Sequence, residues 1–130
     1  MKMIEHFVSM DSFTSKIAAA TMIPVVYARM QSSSQRALIS FYIKMAQDEI
    51  PVVRKSVSQN LQYFIELIPR APENELMTIL QLFFNDDQDF VRMFIIDSII
   101  KLTQVCNKVV IFELGCLIFI RKFMLLFYRI

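Results

Sequence analysis

The segments DEIPVVR, from Asp48, and DDQDFVR, from Asp86, each place an acidic residue six positions ahead of an arginine, Arg54 in one and Arg92 in the other. Calcium ligation by Asp86, Asp87 and Asp89 is one chemistry to test. An EF-hand loop needs a central glycine and a closing glutamate at its twelfth position, whereas Asp97 and Ser98 occupy that region here. Nucleophilic or acid–base work would need an activating partner. His6 is the single histidine, and no Cys or Ser motif is placed to be activated by it. No metal, cofactor or catalytic residue is expected, and the chain reads as a non-enzyme. The remaining chemistry is capping and ion pairing. An aspartate just ahead of a helix accepts from the free N–H groups of the first turn, and its carboxylate can meet a basic residue of an adjacent element.

The elements that carry these residues recur. Asp48 and Asp86 stand 38 positions apart, and the same lag maps Val53, Val57, Leu61 and Phe64 onto Val91, Ile95, Ile99 and Leu102. Shifted the other way, those positions fall on Ser15, Ala19, Ile23 and Val26, and the basic residue recurs as Lys16, Arg54 and Arg92. The helix ahead of each turn obeys the lag as well: Leu38, Phe41, Tyr42 and Met45 map onto Leu76, Ile79, Leu80 and Phe83, with Ile4 and Phe7 at the corresponding places upstream. A helical bundle requires periodicity within helices but no fixed register between successive pairs. The fixed register therefore predicts an all-α solenoid of about three helix pairs with a divergent helical tail, in which each pair buries its face against its neighbours. Lys16, Asp48, Arg54, Asp86 and Arg92 would form a charge ladder along one edge.

Composition agrees with this class. A chain of 130 residues with 55% apolar side chains can bury a sizeable core. One glycine and four prolines leave little for tight hairpins or phosphate loops. Fourteen basic residues against twelve acidic ones give a net charge of +2, with no basic run to track a phosphate backbone, so nucleic acid is not an expected partner. Cys106 and Cys116 are too far apart for a CxxC pair and read as reduced thiols, which places the chain in the cytoplasm or also the nucleus.

Helices are predicted over 1–9, 14–30, 34–47, 51–67, 73–84 and 89–105. They group into a partial first repeat (1–30), a second (34–68) and a third (73–105). Ser32, Ser33 and Ser34 read as a polar break, as does PRAP at 69–72, while Pro51 suits the first turn of a helix. Pro24 falls within an apolar stripe and is expected to kink or end its helix.

On these segments, DSFTSKIAAATMIPVVYARM, DEIPVVRKSVSQNLQYF and NDDQDFVRMFIIDSIIKLTQV, residues 4–105 resemble three consecutive HEAT repeats of the scaffold (A) subunit of protein phosphatase 2A, from the N-terminal half of that array. The resemblance implies a scaffold that binds an interchangeable regulatory B-type subunit through its intra-repeat turns. It also implies that a catalytic phosphatase subunit is a partner, held by C-terminal repeats that are absent from this segment. Carried onto this sequence, the contact residues are Ser12 and Phe13 in the first turn, Glu49, Ile50, Pro51 and Lys55 in the second, and Asp87, Gln88 and Asp89 in the third. The family commonly carries a large aromatic where this chain has Ser12. The alternatives are a HEAT-repeat module of another assembly or transport system, or a truncated scaffold fragment without function.

From Cys106 the pattern departs, and residues 106–130 read as a divergent apolar tail. The lag puts MLLFYRI where DDQDFVR would recur. A membrane span needs about 20 apolar residues, whereas Lys108, Glu113, Arg121, Lys122 and Arg129 interrupt this stretch. A membrane partner is therefore not expected, and an incomplete repeat with exposed apolar surface is favoured over an interfacial amphipathic segment. The chain reads as part of a longer scaffold.

Overall fold

The computed structural model describes residues 1–67 and 73–105. Every regular element in them is helical: α1 (Lys2–Ser9), α2 (Phe13–Tyr27), α3 (Ser32–Ala46), α4 (Pro51–Leu67), α5 (Glu73–Phe84), α6 (Asp89–Met93) and α7 (Ile95–Val105). Each odd-numbered helix up to α5 packs on the element that follows it, making the pairs α1–α2, α3–α4 and α5 with α6 and α7. Between pairs, α2 packs on α4 and α4 on α6 and α7, while α1 meets α3 and α3 meets α5. The result is a two-layer, all-α solenoid with an outer row (α1, α3, α5) and an inner row (α2, α4, α6/α7).

The spacing of apolar residues determines this stacking. Val53, Val57, Leu61 and Phe64 are all fully buried on α4, and Val91, Ile95 and Leu102 repeat the stripe on α6 and α7, with Ile99 partly buried. On α2 the buried set is Ala19, Ala20, Ile23, Pro24 and Tyr27. Leu38, Tyr42 and Met45 meet them from the outer row, as do Ile79, Leu80 and Phe83 in the third pair. These residues form one continuous core, so burial in a pair is completed by its neighbours rather than within the pair. At its centre, Phe64 lies edge-on to Tyr27 at 5.0 Å and tilted against Tyr42 at 4.8 Å. The Tyr42 hydroxyl donates to the Val57 carbonyl at 2.5 Å. Burial pushes both tyrosine hydroxyls above their ordinary pKa, and for Tyr27 the nearby Glu75 carboxylate acts in the same direction.

Three local features differ from the sequence expectation. The serine triplet is not a break: Ser32, Ser33 and Ser34 are the first turn of α3, where serine costs little, and the connection is confined to residues 28–31. The helix α2 runs through Pro24 and ends at Tyr27, short of residue 30. It finishes in tighter turns, with Arg29 N donating to Val26 O and Met30 N to Tyr27 O. The third inner helix is split at Phe94, whose φ of −72° and ψ of −13° close α6 before α7 begins. Expectations for the PRAP break, Cys106, Cys116 and the tail at 106–130 lie outside the described residues.

Among the described residues, no helix is long and apolar enough to cross a membrane, and no cluster of His, Cys, Asp or Glu could hold a metal ion.

Candidate functional site

The turns between outer and inner helices are built alike. Asp48 Oδ1 accepts from Ile50 N at 2.9 Å, and Asp86 Oδ1 accepts from Gln88 N at 3.0 Å. Each aspartate therefore folds its own turn, bonding two residues ahead in front of the helix rather than inside its first turn. The arginine six residues on closes the same turn. Arg54 Nη1 donates to Asp48 O at 2.8 Å and to Glu49 O at 3.3 Å, and Arg92 Nη1 donates to Asp86 O.

The same turns are tied to one another. Lys16 Nζ donates to Asp48 Oδ2 at 2.7 Å, across 32 residues. Arg54 grips the next turn through Nε to Asp86 Oδ2 at 2.7 Å and Nη2 to Asp86 Oδ1 at 3.2 Å, and also through Nη2 to Asp87 Oδ1 at 2.9 Å. Asp86 keeps only 5% of its side-chain exposure and Arg54 13%, so this pair is shielded from water as few surface ion pairs are. The hydrogen bond to Asp86 raises the arginine's pKa further and fixes its charge. Contact with Asp86 and the Arg54 guanidinium hold the Asp87 carboxyl below its ordinary range. Arg92 behaves differently, since its Nη2 turns back to Asp89 of its own turn.

Stacked in this way, the three turns form a continuous edge. Ser12, the N-cap of α2, is half-buried and shares a hydrogen bond with Thr14 Oγ1 at 2.7 Å. Phe13 is half exposed. In the second turn Glu49 and Lys55 are exposed, with Ile50 and Pro51 half-buried; in the third, Asp87 and Asp89 are exposed and Gln88 is half-buried. Two further apolar residues share this edge and escaped the reading from sequence. Val52 and Phe90 stand one lag apart at the second position of α4 and α6, and expose 48% and 36% of their surfaces. Lys55 Nζ sits 5.9 Å from the Phe90 ring centroid, a cation–π contact between neighbouring turns. The signal was present in the lag, but an apolar residue beside a buried valine reads as core until its neighbour's direction is known.

A helical-repeat solenoid with an exposed, polar-rimmed edge is the class that fold and site define. No family model matches the chain. It is 29% identical over 113 residues to the protein phosphatase PP2A regulatory A subunit of Saccharomyces cerevisiae, covering 81% of this chain and 18% of that protein. A probable serine/threonine-protein phosphatase PP2A regulatory subunit of Caenorhabditis elegans is 30% identical over 112 residues, covering 80% and 19%. The PP2A regulatory A subunit of Schizosaccharomyces pombe is 24% identical over 108 residues, covering 82% and 18%. About four-fifths of the chain is thus similar in sequence to PP2A regulatory subunits. The chain spans about a fifth of the length of these relatives.

Proposed function

We propose that this chain is a scaffold segment of a protein phosphatase 2A assembly, carrying no chemistry of its own and using the turn edge to dock a regulatory B-type subunit. Phe13, Glu49, Pro51, Lys55, Asp87 and Asp89 make the contact, with Ser12, Ile50 and Gln88 shaping the turns between them. The observation that carries this reading is the ladder itself. Arg54–Asp86 locks the second and third turns side by side, and Lys16–Asp48 joins the first turn to them, so exposed Val52 and Phe90 are presented as a preformed row beside Phe13. A preformed row loses little entropy on binding, and aromatic residues dominate such contacts.

The relatives' names as PP2A regulatory subunits support the phosphatase assignment. A catalytic phosphatase subunit would join through repeats beyond this segment, and the expected location is the cytoplasm, also the nucleus. Affinity capture with this chain, using purified B-type and catalytic subunits, tests the reading. Retention of the B-type subunit that is lost in Phe90→Ala supports it. Failure to retain any B-type subunit, with capture of an unrelated assembly or transport factor, overturns it.

A further inference from the structure

The two seams between helix pairs are not tied equally. The seam between the second and third pairs is fastened at three places. At the turn end, Arg54 makes two bonds to Asp86 and one to Asp87. In the middle, buried Ser58 donates to the Val91 carbonyl at 2.9 Å. At the far end, Lys101 Nζ meets Glu66 Oε1 at 2.5 Å.

The seam between the first and second pairs has, among the described residues, a single ion pair, Lys16 to Asp48. Its far end is joined by Gln35 Nε2 to the Tyr27 carbonyl at 3.1 Å. The position on α2 that corresponds by the lag to Ser58 is Ala20, which is fully buried and has no side-chain donor. Next to it stands another buried alanine, Ala19. Packing across this seam rests on Ile23 and on the Tyr27 ring, edge-on to Phe64 at 5.0 Å, so beyond that apolar contact its orientation is held by Lys16 and Gln35. A lysine brings one flexible point charge, whereas the arginine's planar fork holds two carboxylates and two carbonyls at once.

We infer that the seam between the first and second pairs is the joint of the array: α1 and α2 swing as a unit against a rigid block formed by α3 to α7. The consequence falls on the turn edge. Pro51, Val52 and Phe90 ride on the block and keep their spacing, while Phe13 moves with the first pair. The length of the apolar row is therefore adjustable at one end only.

Hydrogen exchange on the full chain, read by mass spectrometry, tests this. The amides of α1 and α2 should exchange together, about tenfold faster than those of α4, α6 and α7. Raising salt from about 50 to about 500 mM, which screens a partly exposed pair, should widen that gap. Lys16→Arg should narrow it by slowing α2, and the double variant Arg54→Lys with Ser58→Ala should bring the α6 and α7 amides to the rate of α2. Simple fraying from the chain start would instead release α1 without α2 and ignore residue 16. That outcome overturns the joint, as does exchange of α6 and α7 at or above the rate of α2 in the unaltered chain.

Discussion

Arg54 reaches forward 32 residues to place its Nε 2.7 Å from Asp86 Oδ2, while the same guanidinium holds the carbonyls of Asp48 and Glu49 behind it. One side chain thus closes its own turn and clamps the next. Removing it leaves a nearly buried carboxylate without its cation, which is the costly half of breaking a shielded pair. Arg54→Met should lower stability by about 2–4 kcal/mol in urea unfolding. Lys16→Met should cost no more than about 1 kcal/mol, because Asp48 is more exposed and keeps its bond from Ile50 N. Equal losses for the two variants would show that the arginine's extra contacts contribute nothing.

The aromatic trio gives a second test. Phe64 is fully buried between Tyr27 and Tyr42, so Phe64→Ala should cost about 3–5 kcal/mol through lost transfer energy and the cavity left behind. Tyr42→Phe keeps the ring and deletes only the hydroxyl bonded to Val57 O, and should cost about 1 kcal/mol. Thermal melts of the two variants should separate clearly.

Two buried serines should respond in opposite ways. Ser58 Oγ is hydrogen-bonded to Val91 O, while Ser98 Oγ is buried with no hydrogen-bond partner among the described residues. Ser58→Ala should destabilise by about 1 kcal/mol, whereas Ser98→Ala removes an unsatisfied group and should be neutral or stabilising. A loss from Ser98→Ala as large as that from Ser58→Ala would mean that Ser98 is satisfied in solution.

Lys55 is exposed, and its one described contact is the Phe90 face. Lys55→Glu should change stability by less than about 1 kcal/mol yet weaken binding of a B-type subunit severalfold, as read by calorimetry. Unchanged affinity would remove the second turn from the contact surface.

Acid should loosen the second seam. The Asp87 carboxyl is held below its ordinary value of 3.8 by Asp86 and by Arg54. A depressed pKa in the folded state contributes stability that is present above the unfolded value and lost as pH falls through the folded one. Urea midpoints should therefore be flat down to about pH 4 and fall below it, and Asp87→Asn should flatten part of that acid limb. An acid limb identical in the variant would exclude Asp87 from the linkage.

How much of this was legible beforehand differs from residue to residue. The lag of 38 positions marks Val53 with Val91 and Val57 with Ile95, and all four are buried. Such matching is readable because a stripe at helical spacing must meet another apolar surface wherever it packs. Pro51 opens α4 because a proline in the first turn loses no bond the helix would have made. Phe94, in contrast, carries no glycine or proline to announce the split between α6 and α7, and nothing in the local sequence explains it.

The sequence by itself determined the all-α class, the two-helix unit and its register, since these depend on spacing along one chain. Only the tertiary structure decided which group answers which. Arg54 and Arg92 occupy the same place in their turns, yet one spans to the neighbouring turn and the other folds back on Asp89. Val52 and Val53 are adjacent in sequence, and stacking against the neighbouring helices buries the second and leaves the first at the edge. Asp48 and Asp86 each fold their own turn by local geometry, but the grip of Arg54 on both carboxylate oxygens of Asp86 reaches across from the preceding pair. A contact across 32 residues depends on how two helix pairs meet, and periodicity along one helix carries no information about the distance between side chains on two of them.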